Sequence, residues 1–267
     1  MVFLSLILLS LLSYGYWNTF RPILREVHVD IIGTDRKVTD MHILHLSDLH
    51  MERISVSPEK MYKQIADTNP DMIVLTGDYL DQPENLSKWA QYMEKIASLQ
   101  PPCGIYAVLG NHDYRLNEKV DDLISMMTSY GCRVLQNESL EIQYYNQSIN
   151  IIGIDDYHTK KSDLEQSYAN VNEGGLSIVI THDPNIILEL TEQGYPVDYL
   201  LAGHFHGGQC NIPFAFRLYP MGNLPKNNMY KGLLDYRGKP LYISEGLGQS
   251  ALNIRFNSRP EITLHKI

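Results

Sequence analysis

Five separate apolar runs in this chain end in the same way. Ile73-Val74-Leu75-Thr76-Gly77 stops on Asp78, Ile43-Leu44-His45-Leu46-Ser47 on Asp48-Leu49-His50, and Tyr106-Ala107-Val108-Leu109-Gly110 on Asn111-His112-Asp113. Ser177-Ile178-Val179-Ile180-Thr181 stops on His182, and Asp198-Tyr199-Leu200-Leu201-Ala202-Gly203 on His204-Phe205-His206. A short continuous apolar run bounded by turn residues reads as a strand buried on both faces. The glycine before Asp78 lets the backbone turn sharply and hold the carboxylate at the rim of a sheet. Few folds bring five such strand ends together, and the tips, all Asp, Asn or His, outline a metal site.

The segments between the runs read as helices. Ser57 caps a helix over 58–68 with Pro58 in its first turn, and Asn69-Pro70 ends it. Leu86, Trp89, Ala90, Met93, Ile96 and Ala97 recur at a helical period within 84–99, and a third helix over 118–130 stops at Gly131. A leading strand over 26–31 turns at Gly33. Residues 133–135, 140–144 and 149–154 read as short antiparallel additions to the sheet. A helix over 161–170 precedes the last two runs, and strands over 241–244 and 262–264 follow a stretch rich in Gly and Pro. Strands alternating with helices, then β-rich pieces, predict an α/β fold with helices outside the sheets, in one domain over 41–267.

With 267 residues, 44% of them apolar, the chain can build a large core. The formal charge of −9 argues against a polyanionic partner such as nucleic acid. Cys103, Cys132 and Cys210 are an odd number without a Cys-x-x-Cys pair, so no disulfide framework is expected. Residues 1–20 carry no charged side chain and are followed by Arg21 and Arg25. About twenty helical residues span a bilayer core of roughly 30 Å, so a single-pass membrane anchor over 1–20 is predicted, with 21–40 as linker and leading strand. A cleaved signal peptide would need a basic start and a small-residue cleavage site, and a buried helix would have to accommodate Ser5, Ser10 and Ser13. Arg21, Arg25, Arg36 and Lys37 all follow the apolar run, which puts the domain on the cytoplasmic side of the cell membrane.

Carboxylate, carboxamide and imidazole donors together suit manganese, iron or zinc better than calcium. Asp48, His50, Asp78, Asn111, His182, His204 and His206 are too many for one ion and enough for two that share a carboxylate. In this order, Asp48-x-His50, Gly77-Asp78-x-x-Asp81, Gly110-Asn111-His112-Asp113, Thr181-His182 and Gly203-His204-Phe205-His206 resemble the calcineurin-like metallophosphoesterases. The resemblance runs from Ile43 through the carboxy-terminal strand. It implies a sandwich of two sheets flanked by helices and a pair of divalent ions. One ion would take Asp48, His50, Asp78 and His206; the other would take Asp78, Asn111, His182 and His204, with Asp78 bridging. His112 would face the phosphoryl group, oriented by Asp81. Water activated between the ions would then attack phosphorus directly, with no Ser or Cys nucleophile and no phosphoenzyme.

Within that family the apolar amino terminus, Gly203-His204-Phe205-His206-Gly207-Gly208-Gln209 and Ser244-Glu245-Gly246-Leu247-Gly248 are similar to a bacterial membrane-associated branch that includes UDP-2,3-diacylglucosamine diphosphatases. This implies a phosphodiester or pyrophosphate substrate with a lipid part; a phosphomonoesterase, a protein phosphatase and a non-catalytic scaffold are the rival readings. Two departures stand out: Glu245 occupies a position where relatives often carry arginine, and no twin-arginine signal precedes the apolar run. His45 reads as a core or supporting residue, Asp155, Asp156 and His158 as either a turn or an extension of the site, and His28, His42 and His265 as ordinary structure. Trp89 reads as core. Phe214, Phe216, Tyr219 and Tyr230 read equally as an apolar approach for an acyl chain or as a loop packed on itself.

Overall fold

Each of the five apolar runs is a strand in the computed structural model, which describes residues 2–31, 40–210 and 221–267. The expected Gly33 turn, Arg36 and Lys37, and the aromatics Phe214, Phe216 and Tyr219 lie outside the described residues. One six-stranded sheet holds β1 (Ile23–His28), β2 (His42–Leu46), β3 (Met72–Thr76), β4 (Ile105–Val108), β5 (Cys132–Val134) and β12 (Glu261–Lys266) in the order β1-β12-β2-β3-β4-β5. The other holds β6 (Glu138–Tyr144), β7 (Gln147–Gly153), β8 (Leu176–Ile180), β9 (Tyr199–Ala202), β10 (Gly232–Tyr236) and β11 (Lys239–Ile243) in the order β10-β11-β9-β8-β7-β6.

The two faces of each sheet explain why the site strands lack a polar alternation. Ile43, Val74 and Val108 of the first sheet meet Ile151, Ile178 and Leu201 of the second in a core between the sheets. The residues one step along, Leu44, Leu46, Ile73 and Leu75, turn the other way. They pack under α2 (Pro58–Ile65), α3 (Leu86–Ala97) and α4 (Val120–Ser129) through Met61, Ile65, Trp89, Met93, Ile96, Leu123 and Met127. On the far side Val179 and Leu200 lie beneath Ile187 and Leu190 of α6 (Ile187–Glu192). Layers of helix, sheet, sheet and helix result, as the sequence predicts. Burying one such Leu or Ile contributes about 1.5–3 kcal/mol.

Local signals set the helix limits. The Ser57 hydroxyl accepts the Lys60 N–H at 3.2 Å and Pro58 opens α2. A single tight turn over Pro83–Asn85 precedes α3, whose buried Trp89 stacks on Tyr79 with ring centroids 5.0 Å apart. The helix expected over 161–170 shortens to α5 (Leu164–Tyr168) because the Asp163 carboxylate, accepting the Gln166 N–H at 3.0 Å, caps it late.

Two expectations change. The strands over 133–154 are not simply antiparallel additions: β5 lies parallel to β4, because α4 carries the chain back across the first sheet, and β7 lies parallel to β8. Among these three strands only the β6–β7 hairpin is antiparallel. The amino-terminal run is the other. The amino-terminal helix α1 (Val2–Asn18) has 17 residues, about 26 Å at 1.5 Å per residue, and among the described residues no helix is long and apolar enough to cross a membrane. Its last turn instead docks on the domain: Arg255 N–H donates to Gly15 O at 2.9 Å, and Asn18 Nδ2 to Arg255 O at 3.2 Å. Phe3 and Leu4, at 74% and 71% exposed, project away from the body.

Candidate metal centre

Register puts the strand tips side by side. Leu46 is opposite Leu75, Thr76 opposite Val108 and Ile180 opposite Leu201, so the residues that follow these strands leave the sheets at one edge. Ligand sites in α/β folds gather at such carboxyl ends. Close approach of the tips requires glycine at two places. A Cβ on Gly110 would lie 2.3 Å from Asp78 Oδ1, and one on Gly203 would lie 1.9 Å from Ser47 Oγ.

Beyond the tips the backbone is strained where the polar residues sit. Asp48, His50, Asp78, His204 and His206 all have positive φ, between 45° and 76°, a region that side chains other than Gly and Asn enter at a cost of about 1–3 kcal/mol each. Five such residues in one place are held by the loops around them. Asp113 accepts four backbone N–H bonds, from Gly110 and Asp78 on Oδ2 and from Tyr79 and Leu80 on Oδ1, at 2.8 to 3.2 Å. It therefore ties the loop after β3 to the loop after β4. Burial and the Asp78 charge push its carboxyl up, while the N–H donors favour the carboxylate. Asp48 is oriented by Ser47 Oγ at 2.6 Å and by the His204 N–H at 3.1 Å. The loop over 244–248 closes above it, with Gly248 N–H donating to Asp48 O at 2.7 Å. Buried Arg255 braces that loop through the carbonyls of Glu245, Gly246 and Gly248.

Two clusters of donor atoms share Asp78. Asp48, His50, Asp78 and His206 form one, and Asp78, His182 and His204 the other; within each, the donor atoms lie within 4.8 Å of one another, and all these residues are buried. Asn111 Oδ1 is buried without a hydrogen-bond donor. The structure thus brings together the carboxylates and imidazoles of both sets expected from the sequence. No contact places Asn111 in its set, although its orphaned oxygen faces no protein donor.

The donors fit cations better than they fit each other. Thr76 O lies 2.7 Å from His182 Nδ1 and accepts its proton, which leaves Nε2, 3.2 Å from Asp78 Oδ2, as the ring nitrogen available to a metal ion. His50 Nε2 and His206 Nε2 approach within 3.0 Å, and His206 Nε2 lies 3.3 Å from Asp48 Oδ1. Burial lowers His50 and His206 to about 3 and His204 well below its ordinary value, which keeps these rings neutral as metal ligation requires. Burial also pulls His182 down, but the charges of Asp78 and Asp48 prevail and hold it well above its ordinary value. The site calls for positive charge at this point. A pair of divalent ions sharing Asp78 meets that demand, and the N/O donor set suits manganese, iron or zinc.

His112 sits beside the first cluster, its ring edge-on to His50 at 4.6 Å between centroids. Its Nδ1 is 3.5 Å from Asp81 Oδ2, an ion-pair distance without a hydrogen bond, and Arg115 Nη1 reaches the same oxygen at 3.2 Å. Asp81 is itself fixed by a residue that no motif announced. Glu52 Oε1 accepts the Asp81 and Gln82 N–H groups and Asn85 Nδ2 at 2.9 to 3.1 Å. Burial raises Asp81, yet Glu52 and His112 lower it overall.

The undecided residues separate. Asp155 accepts the Tyr114 hydroxyl at 2.5 Å and so meets the loop after β4, while Asp156 Oδ2 accepts the Thr159 N–H at 2.8 Å within the turn. His158 is exposed with its ring 5.2 Å from that of His204, beside the second cluster. His45 is buried in the core with Nε2 at 2.8 Å from Thr76 Oγ1, and His265 Nδ1 meets the Tyr199 hydroxyl at 2.8 Å. Glu245 pairs with Lys231 and Arg25 at 3.3 and 3.5 Å.

Comparison with known proteins agrees with this geometry. The family described as calcineurin-like phosphoesterase matches residues 41–208. A Bacillus subtilis protein described as the uncharacterized metallophosphoesterase YkoQ is 48% identical over 91% of this chain and 91% of its own length. A second from B. subtilis, the uncharacterized metallophosphoesterase YkuE, is 30% identical over 94% of this chain and 88% of its own. The UDP-2,3-diacylglucosamine pyrophosphatase LpxG of Chlamydia trachomatis is 26% identical over 95% of this chain and 92% of its own. With a family match over most of its length and a relative at nearly half identity along both chains, this chain belongs to the calcineurin-like phosphoesterases.

Proposed function

We propose that this chain hydrolyses a phosphodiester or pyrophosphate bond at a centre holding two divalent ions, by direct attack of water on phosphorus. The observation that carries the reading is Asp78, one carboxylate common to two donor clusters. One ion is assigned Asp48, His50, Asp78 and His206, and the other Asp78, Asn111, His182 and His204. Manganese, iron or zinc, if bound there, would lower the pKa of a water and neutralise phosphoryl oxygens as charge builds. The protein's own groups do the rest. Asp113 and Ser47 hold Asp78 and Asp48 in position, and the burial of both carboxylates strengthens every charge interaction nearby. His112, set by Asp81 and Arg115, faces the reacting phosphoryl group and delivers a proton to the departing oxygen.

A diester or pyrophosphate substrate with a lipid part is favoured by the likeness to LpxG, a UDP-2,3-diacylglucosamine pyrophosphatase. The catalytic unit is assigned to residues 41–267. Hydrolysis of bis(p-nitrophenyl) phosphate against p-nitrophenyl phosphate, followed by a panel of lipid and nucleotide diphosphates, tests the reading. Faster turnover of the diester and of lipid diphosphates supports it; faster turnover of the monoester moves the chain to the phosphomonoesterases, and no turnover by fully metal-loaded protein refutes catalysis.

A further inference from the structure

A second polar cavity, of about 410 Å³, opens at the junction between the last turn of α1, the start of β1 and the loop before β12. Its walls include Arg21, Arg25, Lys231 and Arg259, together with Glu245 and Ser258. Four cations converge in a chain whose net charge is −9. Glu245 and the buried Glu261 compensate two of them: Arg25 Nε is 2.9 Å from Glu261 Oε2 and Lys231 Nζ is 3.3 Å from Glu245 Oε2. Among the described residues, no carboxylate lies within ion-pair distance of Arg21 or Arg259. Arg259 spends Nε on Arg21 O at 2.9 Å, and Arg21 rests its guanidinium 4.0 Å over the Trp17 ring. These contacts fix two like charges at one wall without neutralising either. Burial and the Arg21 charge together pull the Arg259 guanidinium below its ordinary value.

We propose that this cavity is an anion site that takes a phosphoryl group, separate from the metal centre. Arginine pairs with phosphate through planar, charge-assisted bonds, and a doubly charged ligand would offset the excess of two cations. The cavity is stitched to the body of the enzyme as well as to the helix: Ser258 Oγ donates to His206 O at 2.8 Å, and a Cβ on Gly207 would lie 2.4 Å from Glu245 Oε2. The departure from the family pattern at Glu245 thereby acquires a role. Its carboxylate orders Arg25 and Lys231 at this wall.

The phosphoryl group can come from a soluble phosphate or from the headgroup of an anionic lipid, and two arms distinguish them. Inorganic phosphate is titrated into the metal-loaded full chain by calorimetry, and sedimentation is compared with vesicles of phosphatidylcholine alone and mixed with phosphatidylglycerol. Wild type is compared with R21Q and with R21Q/K231Q, neither of which alters a group of the metal centre. A soluble ligand gives a phosphate-binding event beyond the one that inhibits hydrolysis of bis(p-nitrophenyl) phosphate. A lipid ligand gives preference for the phosphatidylglycerol vesicles. In either case the double variant binds on the order of tenfold or more weakly, while its hydrolysis of the soluble diester and the inhibition of that hydrolysis by phosphate stay within about twofold of wild type. The proposal is overturned if wild type shows neither event, or if R21Q/K231Q retains full affinity in both arms.

Discussion

Asp113 gives the sharpest test of how the centre is held. Its two carboxylate oxygens accept four backbone N–H groups, two on each oxygen. Asp113→Asn is nearly isosteric but turns one acceptor into an NH2 group, so in either orientation two buried N–H donors face another donor. Leaving a buried donor unsatisfied costs about 1–3 kcal/mol, which puts the loss at about 2–6 kcal/mol. Because the same bonds join the Asp78 loop to the Gly110 loop, the loss should also reach metal binding, by about 10–100-fold as for other supporting groups. Urea unfolding of the metal-free protein measures the first quantity and competition with a chelator the second. A variant within about 0.5 kcal/mol of wild type, with metal affinity intact, would refute the clamp and would mean that Asp113 is already a neutral acid in the native protein.

Further outcomes follow from particular contacts. Gly110→Ala puts a methyl 2.3 Å from Asp78 Oδ1, so metal loading should fall at least about tenfold by chelator competition while circular dichroism is retained. Asp81→Asn leaves His112 without its carboxylate neighbour; kcat should fall about tenfold for an alkyl phosphodiester and less for a nitrophenyl ester, whose departing oxygen needs little proton assistance. His45 is lowered by burial from 6.5 to about 3. Between those values the unfolded chain binds a proton that the folded chain does not, so stability present above pH 6.5 is lost as the pH falls toward 3. His45→Phe should flatten that slope by about 1.4 kcal/mol per pH unit, and an unchanged slope in urea titrations across this range would count against it.

What was legible in the sequence was what chemistry writes locally. Strands buried on both faces leave unbroken runs such as Ile73–Leu75, and a metal site leaves Asp, Asn and His at their ends. The donor residues were therefore legible before any fold was known, while their division into two sets came only from the family resemblance. The left-handed backbone at Asp48, His50 and His206 was not legible, because such strain is maintained by distant partners. The clamp made by Asp113 was not legible, since the four amides it gathers are scattered from Asp78 to Gly110. Glu52 and Arg255 carried no signal at all: one organises Asp81 from 29 residues away, and the other is a buried arginine bonded to backbone carbonyls. Strand β10 hid in a segment whose Gly and Pro content reads as loop. The amino terminus is a different case. Its composition suits a bilayer, but its final turn, with Gly15 against Phe256 and Asn18 on Arg255, is spent on contacts with the domain.

The most direct test is the metal content of purified, reconstituted protein by mass spectrometry, for wild type and for Asp78→Ala. Two ions per wild-type chain, with both lost or greatly weakened in a variant that remains folded, is the result that a shared carboxylate predicts. One ion or none in wild type, or two ions still tightly held without Asp78, would contradict it.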